Sequence, residues 1–289
     1  MTLALLDAPT NLGLRPPVPG TVPGAAKAPG ALRDRGLLSR LGARDLGHLV
    51  APRYDRGGWS EGGGVFHARE IDAYARALAD RLAPAIAAGD FPVVLGGDCS
   101  LLLGPGLVAH ESDRRIGLVY LDGSSDLRHP GNSDTVGAAA GEVLAHVTGR
   151  GQIGGRYFAD SDVTVLGIRD YDDYLAEMTE AGIAFRTAPD IRGHGAAETA
   201  AWVLGRHGAF WLHLDVDVLD PSVLSAVDSP DPGGLSAREF VELVTPLAGH
   251  PSCVGLDLAI YDPDLDQDGS QGDLVAELLV QVLAGRTTG

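Results

Sequence analysis

The chain has 289 residues, of which 45 % are hydrophobic, so it is long enough to bury a large core. It carries 39 acidic against 22 basic side chains, a formal net charge of −17. Such a surface repels nucleic acid and anionic membranes, which argues against both as partners. No apolar run reaches the roughly 18 residues that a membrane-spanning helix needs. The two distant cysteines, Cys99 and Cys253, favour a reduced, cytoplasmic compartment over a disulfide framework.

Predicted strands and helices alternate along the chain. Apolar runs predict strands at residues 2–6, 91–95, 116–121, 162–168, 183–186 and 253–258, with a further strand that begins at residue 210. Helical spacing predicts helices at residues 31–47, 66–88, 101–110, 137–148, 174–181, 196–206, 235–248 and 274–283. Ser236 and Glu239 predict a capping box at the start of the seventh of these helices.

This alternation is typical of a parallel sheet with helices on both faces. No repeat, low-complexity tract or shift in composition marks a domain boundary. We therefore predict one domain over residues 1–289, a three-layer α/β/α sandwich whose central sheet is mostly parallel.

The sequence HLDVDVLDP at residues 213–221 contains an acid pair. In a strand, Asp215 and Asp217 would project from the same face, because side chains two residues apart do so. Two carboxylates on one buried face repel each other and are costly to bury, and a divalent cation would offset both effects. The alternative is a strand end whose acids are solvated in a loop, since a lone D-x-D is common.

Acidic residues also follow two other predicted strands, as GGDCS at residues 96–100 and DGSSD at residues 122–126. Functional groups in open parallel sheets gather at the carboxyl ends of the strands, so these side chains should converge. The strand ends contribute Asp98 and Cys99, Asp122 and Asp126, and Asp215 and Asp217, and we expect four carboxylates and a thiol to converge on one point. Arg128 is the one basic residue in these turns, and a two-metal centre would neutralise the acids and activate a water.

These motifs resemble those of the arginase/agmatinase (ureohydrolase) family over most of the chain. Residues 96–100 are similar to the family's G-G-D-H-S, residues 122–126 to D-[AG]-H-x-D, and residues 215–221 to D-x-D-x-x-D-P. Residues 28–33 are similar to its G-P-x-x-[IL]-R. The resemblance implies an arginase-like fold, a centre of two Mn²⁺ ions and a small cationic guanidino substrate. Trimers and hexamers are frequent in the family, so the resemblance is compatible with a homo-oligomer, but no residue of the sequence demands one.

The sequence departs from the family pattern at four places. Cys99 and Ser124 stand where the family has histidine ligands. Residues 138–141 contain no histidine where many arginases have one credited with proton transfer, and Ile260 stands where a guanidinium-binding glutamate is expected. The carboxylates that the resemblance implies as metal ligands are all present, namely Asp122, Asp126, Asp215 and Asp217.

The two altered positions change which metal is expected. A thiolate is softer than an imidazole, so ligation by Cys99 would shift the preference from Mn²⁺ towards Zn²⁺ or Fe²⁺. The alternative is that Cys99 is a small buried residue in a tight turn. Ser124 is a poor ligand, and we interpret it as a space-filling hydroxyl. With waters completing the coordination, the four carboxylates could still hold two hard cations at lower affinity.

Residues near the cluster are candidates for the missing roles. The family's loop after Asp126 reaches the substrate, so Arg128 and Asn132 are predicted to bind substrate. Asp126 and His129 are the predicted catalytic residues, although His129 is alternatively a replacement ligand or an exposed loop histidine. The resemblance further implies that Asp172 holds a substrate ammonium group.

Three more residues have two interpretations each. His213 shares the predicted face of the acid pair and either orients a metal ligand or is a core histidine with satisfied hydrogen bonds. Asp262 and Asp264 follow the last strand and either replace the missing glutamate or remain solvated.

We therefore expect a metal-dependent, arginase-like hydrolase of C–N bonds with altered specificity. Without the proton-transferring histidine, a substrate with a better leaving group is favoured, such as an N-hydroxyguanidine. The alternative is a protein that has lost catalysis and binds a cationic small molecule or a partner. Retention of the carboxylates argues for a bound cation in both cases, since uncompensated buried acids are destabilising.

Overall fold

The computed structural model describes residues 2–286, which contain eight strands and ten α-helices. The strands are β1 (Leu3–Ala8), β2 (Arg44–His48), β3 (Phe91–Gly96), β4 (Gly117–Leu121), β5 (Val163–Leu166), β6 (Ala184–Arg186), β7 (Phe210–Asp215) and β8 (Cys253–Ala259). The helices are α1 (Ala28–Asp34), α2 (Leu37–Arg40), α3 (Ala68–Ala87), α4 (Leu103–Glu111), α5 (Val143–Val147), α6 (Leu175–Ala181), α7 (Ala188–His194), α8 (Ala196–Leu204), α9 (Ala237–Gly249) and α10 (Ser270–Leu283). No helix in the described range is long and apolar enough to cross a membrane.

All eight strands run parallel in one sheet, in the order β2-β1-β3-β8-β7-β4-β5-β6. Helices α3, α4 and α5 pack against one another, and a second group contains α1, α8, α9 and α10. The predicted three-layer α/β/α sandwich is confirmed, with a sheet that is entirely parallel. Helices cover the sheet, which explains why strands such as β3 are continuous apolar runs without a polar face.

The four central strands are β3, β8, β7 and β4. β3 and β4 follow each other along the chain but are not neighbours in the sheet, because β8 and β7 lie between them. In open α/β sheets, such a change in strand order leaves a crevice beyond the carboxyl ends of the strands. The acidic turns at residues 96–100, 122–126 and 215–217 all lie at this crevice, because they follow β3, β4 and β7.

One predicted helix was wrong in its second half. Of the stretch 31–47, only the parts in α1 and α2 are helical, and Arg44–His48 forms the edge strand β2. Gly36 and Gly42 interrupt the helix with φ of +71° and +58°, values that favour glycine.

One further predicted helix is shorter than expected and one observed helix was not predicted, whereas α3, α4, α6, α8, α9 and α10 lie where helices were predicted. The stretch 137–148 is a short 3₁₀ turn followed by α5, and α7 was not predicted at all. The capping box of α9 is confirmed, because the Ser236 hydroxyl accepts from the Glu239 amide and the Glu239 carboxylate accepts from the Ser236 amide.

Candidate functional site

The turn after β3 is fixed by a buried acid. Asp98 accepts hydrogen bonds from the Thr10 hydroxyl at 3.1 Å and from the amides of Gly13 and Ser100 at 3.2 and 2.8 Å. Gly97 passes so close to the main chain that an added Cβ would lie 1.7 Å from the Thr10 carbonyl oxygen. Asp98 therefore holds this turn in place, with Oδ2 bonded to the N-terminal loop and Oδ1 to the turn itself.

The acid pair at the end of β7 reaches the crevice through a turn, whereas the prediction placed both residues in one strand. β7 ends at Asp215, and Asp217 lies in a 3₁₀ turn over Val216–Val218, so the two residues do not alternate along a strand. The Asp217 amide donates to Asp215 Oδ1 at 2.8 Å, and Asp217 Oδ1 accepts from the Gly123 amide at 2.9 Å. A capping turn therefore brings both carboxylates to the same crevice.

The two acids of the DGSSD turn have different environments. Asp122 Oδ1 accepts from the Ser124 amide at 2.7 Å, whereas Asp122 Oδ2 is buried without a hydrogen-bond partner. Both oxygens of Asp126 are occupied, because the Tyr120 hydroxyl donates to Oδ2 at 2.6 Å and the Ser124 hydroxyl donates to Oδ1 at 2.7 Å. Asp122 thus has one oxygen without a hydrogen-bond partner among residues 2–286, whereas each oxygen of Asp126 already accepts one hydrogen bond.

A group of four buried ligand atoms lies at the floor of the crevice. It contains one potential ligand atom each from Cys99, Asp122, His213 and Asp215, and these atoms all lie within 4.8 Å of one another. The Cys99 thiol donates to Asp215 Oδ2 at 2.9 Å. His213 Nε2 is buried without a hydrogen-bond partner, so His213 is not the satisfied core histidine that the sequence left open.

Burial and mutual repulsion disfavour the charged forms of these acids. Burial raises the pKa of Asp122 and Asp215 well above the usual range, and neighbouring carboxylates raise both further. Burial also raises the pKa of the Cys99 thiol, with Asp215 adding to the effect. Burial raises the pKa of Asp126 to about 6, despite the hydrogen bonds from Tyr120 and Ser124 that lower it. A cation would relieve this repulsion.

These residues fit one divalent ion better than the pair that the resemblance implies. On the Cys99 side, two members of the group of four have a buried atom without a partner among residues 2–286, namely Asp122 Oδ2 and His213 Nε2. On the other side, Ser124 replaces an imidazole, and each oxygen of Asp126 accepts a hydrogen bond from a hydroxyl. The unpartnered buried donors therefore lie on the Cys99 side, where a single ion would also replace the hydrogen bond from the Cys99 thiol to Asp215.

A cavity leads from the surface to this group. Its inner part has a volume of about 50 Å³ and its outer part about 370 Å³. Gly141, Asp228 and Ile260 line both parts. Sequence reasoning missed Asp228, because no motif marks its loop. Asp228 is accessible from the cavity, yet the surrounding protein and the nearby Asp217 raise its pKa to about 7.

The outer cavity has both basic and acidic lining residues. Arg128 lines it and makes no hydrogen bond or ion pair within residues 2–286, whereas Arg15 is paired with Glu61. Asp262 also lines it, but one of its oxygens accepts from the Gly24 amide at 2.9 Å. Among the described residues that line the outer cavity, Arg128 is therefore the cation without an ion pair, although its charge partly offsets the rise that burial causes in the pKa of Glu142. Its role in substrate binding stays a prediction.

The other predicted site residues lie outside this cavity. His129 and Asn132 line a separate surface hollow, where both bond the Glu177 carboxylate at 2.8 Å. Asp172 accepts from the amide and hydroxyl of Ser125 at 2.8 and 2.9 Å, so it holds the DGSSD turn. Asp264 is ion-paired with Lys27. Their predicted roles in catalysis and substrate binding stay predictions.

The family model described as "Arginase family" matches residues 18–285. An arginase from Bacillus caldovelox is 27 % identical and covers 96 % of both chains, and a formimidoylglutamase from Chromobacterium violaceum is 29 % identical over 88 % of this chain and 79 % of its own. Among solved structures, the Bacillus caldovelox arginase superposes with a TM-score of 0.84 over 97 % of both chains at 24 % identity. Proclavaminate amidino hydrolase from Streptomyces clavuligerus has a TM-score of 0.76 at 21 % identity, over 99 % of this chain and 92 % of its own. The chain therefore belongs to the arginase family.

Proposed function

We propose that this protein is a metal-dependent hydrolase that cleaves a C–N bond in a guanidino or amidino compound. The observation that carries the proposal is the buried group of acids and donors beside a cavity, because a bound cation would relieve the repulsion among its acids and Cys99 and Asp215 line the inner part of that cavity. Relatives named arginase and formimidoylglutamase support the class of reaction.

The reaction joins a water oxygen to the central carbon of the substrate, breaks its bond to the leaving nitrogen and transfers a proton to that nitrogen. A divalent cation, when bound, supplies Lewis acidity and makes a water more acidic. Cys99, Asp122, Asp215 and His213 would hold it, and Asp217 lines the inner cavity beside them. Asp126 also lines the inner cavity, where its carboxylate can orient a water or the substrate's nitrogen atoms.

Asp228 is the best-placed residue to bind the cationic end of a substrate. It lines both parts of the cavity, so a guanidinium that reaches the floor passes its carboxylate. Ile260, at the position where the resemblance implies a glutamate, offers only an apolar wall. Arg128 faces the outer cavity and would pair with an anionic group at the other end of the substrate. An amino acid that carries a guanidine or N-hydroxyguanidine fits this arrangement of charges.

A second candidate is a protein that binds such a compound without hydrolysing it. The observation that favours it is the hydrogen bonding of Asp126, both of whose oxygens are taken by the hydroxyls of Tyr120 and Ser124. Ala140 and Gly141 line the inner cavity in the segment where the resemblance implies a proton-transferring histidine. In that case, the buried acids would bind a cation and would take no part in catalysis.

Assays of the purified protein with Mn²⁺ and with Zn²⁺ separate the two candidates. The substrates would be arginine, agmatine, N-hydroxyarginine and formimidoylglutamate, with urea, hydroxyurea and formamide as products. We expect turnover of at least one guanidino or amidino compound, with N-hydroxyarginine favoured over arginine. Tight binding of a compound by calorimetry without any product would support the second candidate and contradict the first.

Two matched variants test the assignment of Asp228. In Asp228→Asn, loss of a charge-assisted hydrogen bond should raise KM roughly 10- to 100-fold. In Asp264→Asn, KM should be unchanged, because Asp264 is ion-paired with Lys27 outside the cavity lining. Equal KM values for the two variants would contradict the assignment.

A further inference from the structure

We propose that His213 is a metal ligand, and that it completes a site for one ion with Cys99, Asp122 and Asp215. The inference rests on the proposed function only in needing a metal at this end of the sheet. It differs from the arrangement that the resemblance implies, in which both imidazole ligands come from the turns after β3 and β4. Here the imidazole comes from the interior of β7.

The neighbours of His213 in the sheet hold its ring in one orientation. Tyr120 of β4 and Asp257 of β8 lie beside it in the strand registers. The Tyr120 ring stacks on the imidazole with centroids 4.7 Å apart and planes 17° apart. On the other side, His213 Nδ1 bonds Asp257 Oδ2, and the Trp211 indole N–H donates to the other oxygen of Asp257. The ring therefore has little freedom to turn away from the cluster.

The partner of Nδ1 leaves Nε2 available as a ligand. A carboxylate that accepts hydrogen bonds from Trp211 and His213 favours the tautomer with the proton on Nδ1, so the lone pair is on Nε2. Metal-binding histidines commonly make this second bond to a carboxylate. Among residues 2–286, Nε2 is buried without a hydrogen-bond partner, which is an unfavourable state for a polar group.

An unpartnered ring nitrogen alone does not make a ligand. His146 is also fully buried, and neither of its ring nitrogens has a hydrogen-bond partner. Among residues 2–286, however, no group of three or more metal-ligating side chains includes His146, whereas His213 belongs to a group of four. The second unpartnered atom of that group, Asp122 Oδ2, comes from a different strand end.

The donor set indicates the kind of metal. One sulfur, one nitrogen and two carboxylates form a mixed set that suits Zn²⁺ or Fe²⁺ better than the harder Mn²⁺. In a closed tetrahedral site, such ligand atoms lie roughly 3.3 to 3.8 Å apart. The four atoms here lie within 4.8 Å, so small shifts of the side chains bring them to that spacing.

Cobalt binding tests the ligand set without any measurement of activity. The full-length protein is freed of metal with a chelator and titrated with Co²⁺, followed by its absorption spectrum and by elemental analysis. We expect one equivalent and a thiolate-to-cobalt charge-transfer band that disappears in Cys99→Ser. His213→Gln should bind Co²⁺ more than about 100-fold more weakly, and Asp257→Asn roughly 10- to 100-fold more weakly. The matched control is His207→Gln, since His207 is buried at the opposite end of β4 and bonds Thr164.

Several outcomes would overturn the inference. They are no bound Co²⁺, unchanged affinity in His213→Gln, or two equivalents of which one is lost in Asp126→Asn. If His213→Gln fails to fold, X-ray absorption of the zinc-loaded wild type replaces it, and a coordination shell without both a sulfur and an imidazole would overturn the inference. Because none of these readouts involves a substrate, an inactive protein that binds one ion in this way contradicts the proposed function and leaves the ligand set supported.

Discussion

Arg169 is a buried cation that we expect to hold the floor of the site together. It is 3 % exposed, and its guanidinium donates to main-chain carbonyls of its own strand end and of two other segments. The recipients are Asp217 at 2.9 Å, Val218 at 3.3 Å, Leu219 at 3.4 Å, Asp231 at 2.6 Å and Gly167 at 3.5 Å. Arg169 therefore ties the turn that carries Asp217 to the loop around Asp231.

Arg169→Met removes these bonds while it keeps much of the side-chain volume. The bonds to Asp217 and Asp231 are short and charge-assisted, and each is worth about 1.5 to 3 kcal/mol. The three longer bonds, to Gly167, Val218 and Leu219, add little. We therefore expect a loss of about 3 to 6 kcal/mol in the free energy of unfolding, which is a large share of the roughly 5 to 15 kcal/mol typical of a folded protein.

Urea denaturation followed by circular dichroism measures this loss. The control is Arg76→Met, because Arg76 makes an exposed pair with Asp72 one helical turn away and such pairs contribute about 0.5 kcal/mol or less. We expect a much lower midpoint for Arg169→Met than for the control at a similar slope. Equal midpoints for the two variants would refute the reasoning, because the carbonyls of the turn would then need no buried donor.

Three further predictions concern the turn after β3, a buried histidine and the altered ligand positions. Gly97→Ala should cost at least about 2 kcal/mol in urea denaturation, since its Cβ would overlap the Thr10 carbonyl, and a cost below about 0.5 kcal/mol would contradict the described turn. Burial lowers the pKa of His207 to about 4 from 6.5, so the unfolded chain binds more protons between these values. His207 should therefore cost up to about 3 kcal/mol of stability as the pH falls from about 6.5 to 4, and His207→Gln should flatten that fall. Cys99→His combined with Ser124→His should bind an additional equivalent of Mn²⁺ by elemental analysis, and an unchanged stoichiometry would contradict the ligand positions that the resemblance implies.

The sheet and the acidic turns could be predicted from the sequence because each depends on local patterns. The central strands are buried on both faces, so they appear as apolar runs, and an acid that follows such a run must lie at the carboxyl end of a parallel strand. β2 was not predicted because it lacks such a local pattern. It is an edge strand whose residues Arg44–His48 are exposed or half-buried, so no apolar run marks it.

The role of His213 could not be predicted because it depends on the order of strands in the sheet. Its two partners, Tyr120 and Asp257, are distant in sequence and become neighbours only when β7 lies between β4 and β8. The same holds for Asp228, whose loop carries no motif and faces the cavity only in the folded protein. The sequence indicated that acids converge, and the tertiary structure determines which donors are left without partners.

The most direct measurement of how this site differs from a two-metal centre is anomalous X-ray diffraction at the zinc edge. Crystals of the zinc-loaded protein should show one strong anomalous peak among Cys99 Sγ, Asp122, His213 Nε2 and Asp215. A second strong peak beside Asp126 or Asp217, or the absence of any peak among the four donors, would contradict the single-ion site.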